Sequence, residues 1–297
     1  MTADTLTTRD IKVSAPEKPP PRAGHQRMTP RSVVSQVLLT IVLLLFLLPF
    51  AWMISSSLKP PDEIFTLRFL GSEIRWGNYA EAWGYLPFGR FMLNGLFVAL
   101  AGTVTVCVTS VLAAYAFSRL RFRGRGQLFM IYLATLMVPH EVTVVPLFIL
   151  MQQLGWVDSY AALIFPWAFS AFGTFLLRQF FLTIPLELEE AAVIDGASRL
   201  RILLQVIVPI ARPAIAVLAV FTFINYWNSY LWPLIIINSL EKATVPLGLG
   251  YFLSQNGNEW HLLMAACAIS MLPTVVIVVL LQRHLVRGIA ISGMGGR

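Results

Sequence analysis

Long apolar runs separated by short polar stretches set the pattern of this chain. No charged residue occurs between Arg31 and Lys59. Further runs extend from Phe91 to Phe117, Leu128 to about Leu154, Ala161 to Leu177, Pro213 to Ile237 and Trp260 to Gln282. A helix needs about 20 apolar residues to cross the hydrocarbon core. The pattern therefore predicts an all-α integral membrane protein with six transmembrane helices, of which the Ala161–Leu177 run is the shortest. The third run is expected to be interrupted by Pro139 and Pro146. Only a few residues around Gly155 to Tyr160 join it to the fourth, which predicts a tight hairpin.

Composition agrees with that picture. Charged residues make up 12% of the 297 positions, against about 25% in soluble domains, and mean hydropathy is +0.71. So little charge cannot cover a water-facing surface. The net charge of +7 does not point to nucleic acid, because the basic residues lie between apolar runs rather than along one stripe. Their distribution predicts orientation instead. With six spans, the side holding both termini takes 17 Lys and Arg and the other takes 5, so both termini are expected in the cytoplasm. Cys107 and Cys267 sit in apolar runs without CxxC spacing or His-rich neighbours, which argues for small buried side chains rather than a metal site.

Residues 1–31 are polar, basic and rich in Pro, and are expected to form a disordered tail. They do not resemble a signal peptide, since the apolar run that follows is too long and lacks a small-residue cleavage site. One membrane domain is expected over 32–282, with a polar loop at 183–209, and a short cytoplasmic tail over 283–297.

Polar residues inside the runs are the candidates for a transport path. His140 and Glu141 lie about 12 residues into the third run, roughly halfway across a straight helix. They could relay protons, line a watery path, or satisfy backbone groups freed by Pro139. One adjacent pair makes a poor relay, which favours the last reading. Asn225, Asn228 and Trp232 share a face of a continuous fifth helix, with Tyr226 and Tyr230 close by. Amides and flat rings suit a sugar, and they equally suit interhelical hydrogen bonds and an interfacial aromatic belt.

The richest segment begins at Thr183. Pro185 suits the first turn of a helix, Glu187, Glu189 and Glu190 favour its positive end, and Gly196 suits a left-handed terminator. Ser198 then caps a second helix, which Pro209 is expected to break just before the fifth span. Ala191, Ala192 and Ala197 keep the elbow thin, so the segment reads either as a docking knob or as an amphipathic linker. Glu190-Ala191-Ala192, three residues, Gly196, nine residues and Val206-x-Val208-Pro209 resembles the loop of ATP-binding-cassette importer permeases, whose usual form ends in Ile-x-Leu-Pro.

That resemblance covers nearly the whole chain after residue 35. Ser57-Leu58-Lys59-Pro60, Glu63-Ile64-Phe65, Asn78-Tyr79, Val145-Pro146-Leu147-Phe148, Asp195-Gly196-Ala197 and Trp227-Asn228-x-x-Leu231-Trp232-Pro233-Leu234 are similar to the smaller, six-helix subunit of maltose-type sugar permeases. It implies a sugar-importer permease in a bacterial or archaeal cell membrane, working by alternating access. It also implies a second homologous permease, an ATPase dimer at the cytoplasmic face and an extracytoplasmic sugar-binding protein. Glu190, Ala191, Ala192, Asp195, Gly196, Ala197 and Pro209 would then form the ATPase-coupling loop. The ending Ile289 to Arg297 departs from the family's usual tail. Other ABC cargoes, such as a glycerol phosphate ester or a polyamine, fit the same motifs, and a proton-coupled carrier using His140 and Glu141 is the rival from another class. No GxxxxGK[ST] loop, Gly-x-Ser-x-Gly elbow or His-Glu-x-x-His helix occurs. The chain is thus expected to be no enzyme, to hold no cofactor, and to leave ATP hydrolysis to a partner.

Overall fold

The computed structural model describes residues 30–254 and 257–293, with side chains over 34–253 and 258–282. All but the last two residues of the expected N-terminal tail lie outside the described residues. The chain divides into two compact units, Met1–Pro49 and Phe50–Arg297. In the first, α1 (Pro30–Ser57) begins, and past Arg31 it carries no charge.

The second unit contains the other helices. They are α2 (Gly77–Tyr85), α3 (Phe88–Arg119), α4 (Arg125–Ala134), α5 (His140–Gln153), α6 (Tyr160–Ile164) and α7 (Ala171–Leu182). The polar loop forms α8 (Glu187–Ile194), α9 (Arg199–Ile202) and α10 (Val208–Ile210). The remainder are α11 (Arg212–Trp227), α12 (Leu231–Ile236), α13 (Val245–Gly250), α14 (Trp260–Ser270) and α15 (Leu272–Gly293). A two-residue ribbon pairs Leu253–Ser254 with Gly257–Asn258. The backbone of α15 stays helical to Gly293, past the boundary expected at 283, and residues 294–297 lie outside the described residues.

Among the described residues, three segments are long and apolar enough to span singly: Val34–Ser57, Phe88–Arg119 and Trp260–Gln282. The third and fourth apolar runs are each a bent pair of helices. Arg125–Met137 meets His140–Gln153 at 100°, and Tyr160–Trp167 meets Ala171–Leu182 at 46°. The fourth segment is therefore longer than the apolar run alone suggested. Pro139 stands at the sharper break, in extended conformation, whereas Pro146 is accommodated inside α5. Of the two prolines expected to interrupt this span, only Pro139 does.

α3 shows how the bundle is solvated. Leu93, Phe97, Leu100, Val104, Val108 and Leu112 form an exposed stripe, while Phe91, Val98, Ala99, Val106 and Ala114 are buried opposite. Both stripes are apolar, as they must be when the outside is lipid and the inside is protein. The buried stripe packs on α7 and α11, and α11 packs in turn on α15. Close approach requires small residues: a Cβ added at Gly102 would sit 2.4 Å from the Tyr226 ring.

Two cores result. One, built around Phe88, Phe91, Phe223, Trp227, Trp232 and Phe252, lies at the end of α3 nearer Phe88. The other, built around Ala114, Leu177, Phe181, Ile202, Leu203 and Ile207, lies at the end nearer Arg119. We refer to the latter as the basic end, after Arg119–Arg125 and the arginines of the 183–212 segment.

Polar clips close the opposite end. Asn94 Nδ2 donates to the carbonyls of Glu241 (2.8 Å) and Ala243 (2.9 Å), and Tyr160 donates to Asn94 Oδ1. Asp158, with a left-handed φ of 57°, accepts on Oδ1 from Ser239 and from the Asn238 N–H, and pairs through Oδ2 with Lys242 at 3.0 Å. Partial desolvation pushes the Asp158 carboxyl up, but the donors from Ser239, Lys242 and Asn238 outweigh it and hold the group well below the usual carboxylate range.

A depressed folded value means stability that is fully present above the unfolded value of about 3.9 and is lost as pH falls toward the folded one. Asp158→Asn should therefore melt below the wild type by a margin that is constant from neutral pH down to about 5 and narrows below about 4. Thermal melts of the purified chain across that range check this. A margin that grows on acidification would contradict it.

Candidate functional site

The polar segment at the basic end folds into an elbow. α8 ends in a Schellman turn: Ala197 N–H donates to Ala192 O at 2.9 Å, and Gly196 N–H donates to Val193 O at 3.0 Å. Gly196 takes φ +77°, and a Cβ placed there would meet nothing within 4 Å. The demand for glycine here is therefore one of backbone conformation rather than of space. Ser198 caps α9, its Oγ accepting from Arg201 N–H.

Pro209 does not break the segment as expected. Leu203–Ile207 opens into a π-turn, with Val208 N–H bonded five residues back to Leu203 O, and this lets Pro209 enter the next helix at its start. The bend of 80° into the fifth span falls at Ala211 instead. Pro213 explains that position, because the break places it in the first turn of α11, where its missing N–H is harmless.

Burial separates the acidic residues of α8. Glu190 is exposed, as are Ala191, Asp195 and Gly196, while Ala192 and Ala197 are half-buried in the elbow. Leu188, Val193, Leu200 and Leu204 are also exposed, and Ile194 is 86% exposed. Such apolar exposure at a polar end suits a protein partner. An open recess of about 610 Å³ adjoins α8, lined by Arg121, Arg125, Thr183 and Glu187 among others.

Glu189 turns the other way. Its Oε1 lies 2.7 Å from Arg119 Nε, with the two side chains 7% and 5% exposed. The contact is an ion pair rather than a well-directed hydrogen bond. The Arg119 guanidinium also donates to Phe181 O (2.6 Å), which accepts from Ile184 N–H as well, and to Ile184 O (2.7 Å) just past the end of α7. Removing one member of a buried pair strands the other and costs about 3–5 kcal/mol. Neither Arg119 nor Glu189 stood out in the sequence as a site residue. The available signal was helical phase: consecutive residues point about 100° apart, so Glu189 and Glu190 face different surroundings.

The fifth span differs from the expected straight helix. α11 stops at Trp227 and α12 restarts at Leu231, which sets Pro233 within a new first turn instead of clashing with the carbonyl four residues before it. Asn225, Asn228 and Trp232 consequently do not share a face. Trp232 is buried, donates Nε1–H to Ala162 O at 2.8 Å and meets Trp167 edge to face. Tyr226 is half-buried and donates to Ile164 O at 2.9 Å. Both hold helices together through these bonds. Asn225, Asn228 and Tyr230 remain exposed.

His140 and Glu141 open α5 just after the 100° bend, so residue counting along a straight helix does not give their depth. Both are exposed. The His140 ring packs edge-on against Trp167 with centroids 4.9 Å apart, and its carbonyl accepts from Thr143 Oγ1, a local bond beside the break.

A family profile described as "Binding-protein-dependent transport system inner membrane component" matches residues 106–291. The chain is 36% identical to the sn-glycerol-3-phosphate transport system permease protein UgpE of Pectobacterium atrosepticum over 270 residues, covering 88% of this chain and 96% of that protein. It is similar to a solved bacterial ABC transporter involved in the import of the acidic polysaccharide alginate, with a TM-score of 0.76 at 28% identity over 86% of this chain and 96% of that one. A chain of the bacterial alginate ABC transporter in complex with an alginate pentasaccharide-bound periplasmic protein shares the fold, with a TM-score of 0.61 at 17% identity, covering 84% of this chain and 92% of that one.

Burial distinguishes the two kinds of fifth-span residue experimentally. Trp232→Ala should destabilise the chain by about 3–5 kcal/mol, whereas Asn228→Leu should stay within about 0.5 kcal/mol of the wild type. Denaturation of the purified variants in one detergent checks both. Equal loss in the two would contradict this division of roles.

Proposed function

The chain belongs to the family of binding-protein-dependent transport system inner membrane components and is a permease subunit of an ABC importer; from that premise we propose that its elbow, within the loop 183–209, is the surface that docks an ATPase. ATP is then hydrolysed in that separate subunit. A second homologous permease completes the pore, and an extracytoplasmic binding protein delivers the cargo. The observation that carries this reading is the exposure of Glu190, Ala191 and Ile194 on a helix whose other face is anchored. Glu190 offers a charge to the partner, the alanines allow close approach, and the Schellman turn keeps the elbow stiff. With ATP as the energy source, no proton relay is required of His140 and Glu141.

The cargo that fits best is a carbohydrate. Neither Lys nor Arg occurs over 126–177 or 213–241, so these spans bring no cation to an anionic solute. The exposed Asn225, Asn228 and Tyr230 provide amides and a ring, which suit neutral hydroxyls. The name of the UgpE relative favours a second reading, sn-glycerol-3-phosphate, whose phosphate would then be held by another subunit. Uptake of labelled maltose and of labelled sn-glycerol-3-phosphate by the whole complex distinguishes the two. Saturable uptake of maltose supports the first reading, and uptake of the phosphate ester alone overturns it.

The 17-to-5 division of basic residues supports a cytoplasmic position for both termini, and with them the elbow. A reporter that works only in the cytoplasm should be active when fused after Arg297; silence there, with activity at Gly71, would invert the topology.

Docking is tested at the elbow itself. Valine at Gly196 must adopt a positive φ, at about 1–2 kcal/mol, and Glu190→Ala removes a charge without harming the helix. The Glu190→Ala, Gly196→Val chain should reach the membrane and pair with its sister permease while ATP-driven uptake falls at least tenfold, roughly the effect of 1.4 kcal/mol or more at the interface. Normal ATP-driven uptake by that double variant would sink the docking reading.

A further inference from the structure

α8 carries two adjacent glutamates with opposite environments. Glu190 is exposed and faces away from the bundle. Glu189 is buried against Arg119, the last residue of α3, which also holds Phe181 O in the last turn of α7 and Ile184 O just beyond it. Three elements therefore meet on one guanidinium. An exposed pair in that place would yield by changing rotamers and would be screened by salt. With their side chains only 5% and 7% exposed, Arg119 and Glu189 have little water to exchange partners with, so the junction moves as a unit or separates at high cost. α3 in turn packs along α7 and α11, so whatever turns this junction also turns the spans around it.

We propose that the Arg119–Glu189 pair is the strut through which movement of the elbow reaches α3 and α7, and that both are positioning residues for transport. This rests on the docking reading above. The path of force runs from the docked partner to Glu190 and the exposed face of α8, through the helix to Glu189, and across the ion pair into α3 and the end of α7. Beside the pair, Ile202, Leu203 and Ile207 attach the elbow through apolar contacts, which lack the directionality that fixes an angle.

The test uses the assembled complex in nanodiscs, with Leu231→Cys as a reporter in a Cys107→Ala, Cys267→Ala background. Leu231 is exposed at the start of α12, and a membrane-impermeant maleimide reads its accessibility with and without ATP and vanadate. Two variants are compared with the intact pair. Glu189→Gln keeps the size and removes the charge. Arg119→Met with Glu189→Met replaces the pair by apolar side chains, which buried sites tolerate well. Both complexes should retain the ATPase subunit and hydrolyse ATP, yet lose the ATP-dependent change in labelling. An unchanged response in the Met–Met complex overturns the strut. Loss of the ATPase subunit from that complex also counts against it, because a strut acts after docking. Running Glu190→Ala, Gly196→Val alongside separates the two readings: a normal response there defeats docking, whereas a normal response only in Met–Met defeats the strut alone.

Discussion

One buried guanidinium organises the basic end of this permease. An arginine closing a transmembrane helix would ordinarily extend its head group into the interfacial water. Arg119 turns inward beside the end of α7, where it donates to Phe181 O, which also accepts from Ile184 N–H, and to Ile184 O. Once two of its donors are committed there, the remaining edge of the guanidinium needs an acceptor, and Glu189 supplies a full charge. The position of α8 follows from that electrostatic requirement. So does the division of labour along the helix, since fixing Glu189 inward sends Glu190, Ala191 and Ile194 outward.

Proline placement is the second organising constraint. Pro139, Pro213 and Pro233 each stand at or within a turn of a helix start, next to a break in the helix, and at the first two breaks the chain also bends sharply. Pro209 is the exception: a π-turn absorbs its mismatch and moves the bend onward to Ala211. In lipid such breaks survive only where neighbouring protein satisfies the freed backbone groups. The packed surroundings of α6, α12 and Trp232 meet that condition beside the break in the fifth span.

These two constraints were unequally legible in the sequence. The six apolar segments were plain, because length and lack of charge need no knowledge of tertiary contacts. The turn at Gly196 was legible too, since a glycine after a short helix with a capping serine two residues on is a local signal. The inward Glu189 was not, because its partner lies on a distant helix and pattern alone does not say which of three glutamates turns in. The shared face of Asn225, Asn228 and Trp232 failed for another reason: it assumed one continuous helix through Pro233. The depth expected of His140 and Glu141 likewise assumed a straight helix, which the bend beside Pro139 does not provide. Where the helical period could be trusted, burial followed; where a proline reset the phase, it did not.

The central claim is that the outward face of the elbow meets an ATPase while its inward face is tied to the spans. Ile194, 86% exposed at the end of α8, is the most direct reporter of the outward face. A photo-crosslinking amino acid placed at Ile194 in the chain at native expression should, on illumination of intact cells, yield one major adduct, to the ATPase subunit. An adduct only to lipid or to the sister permease would contradict the account.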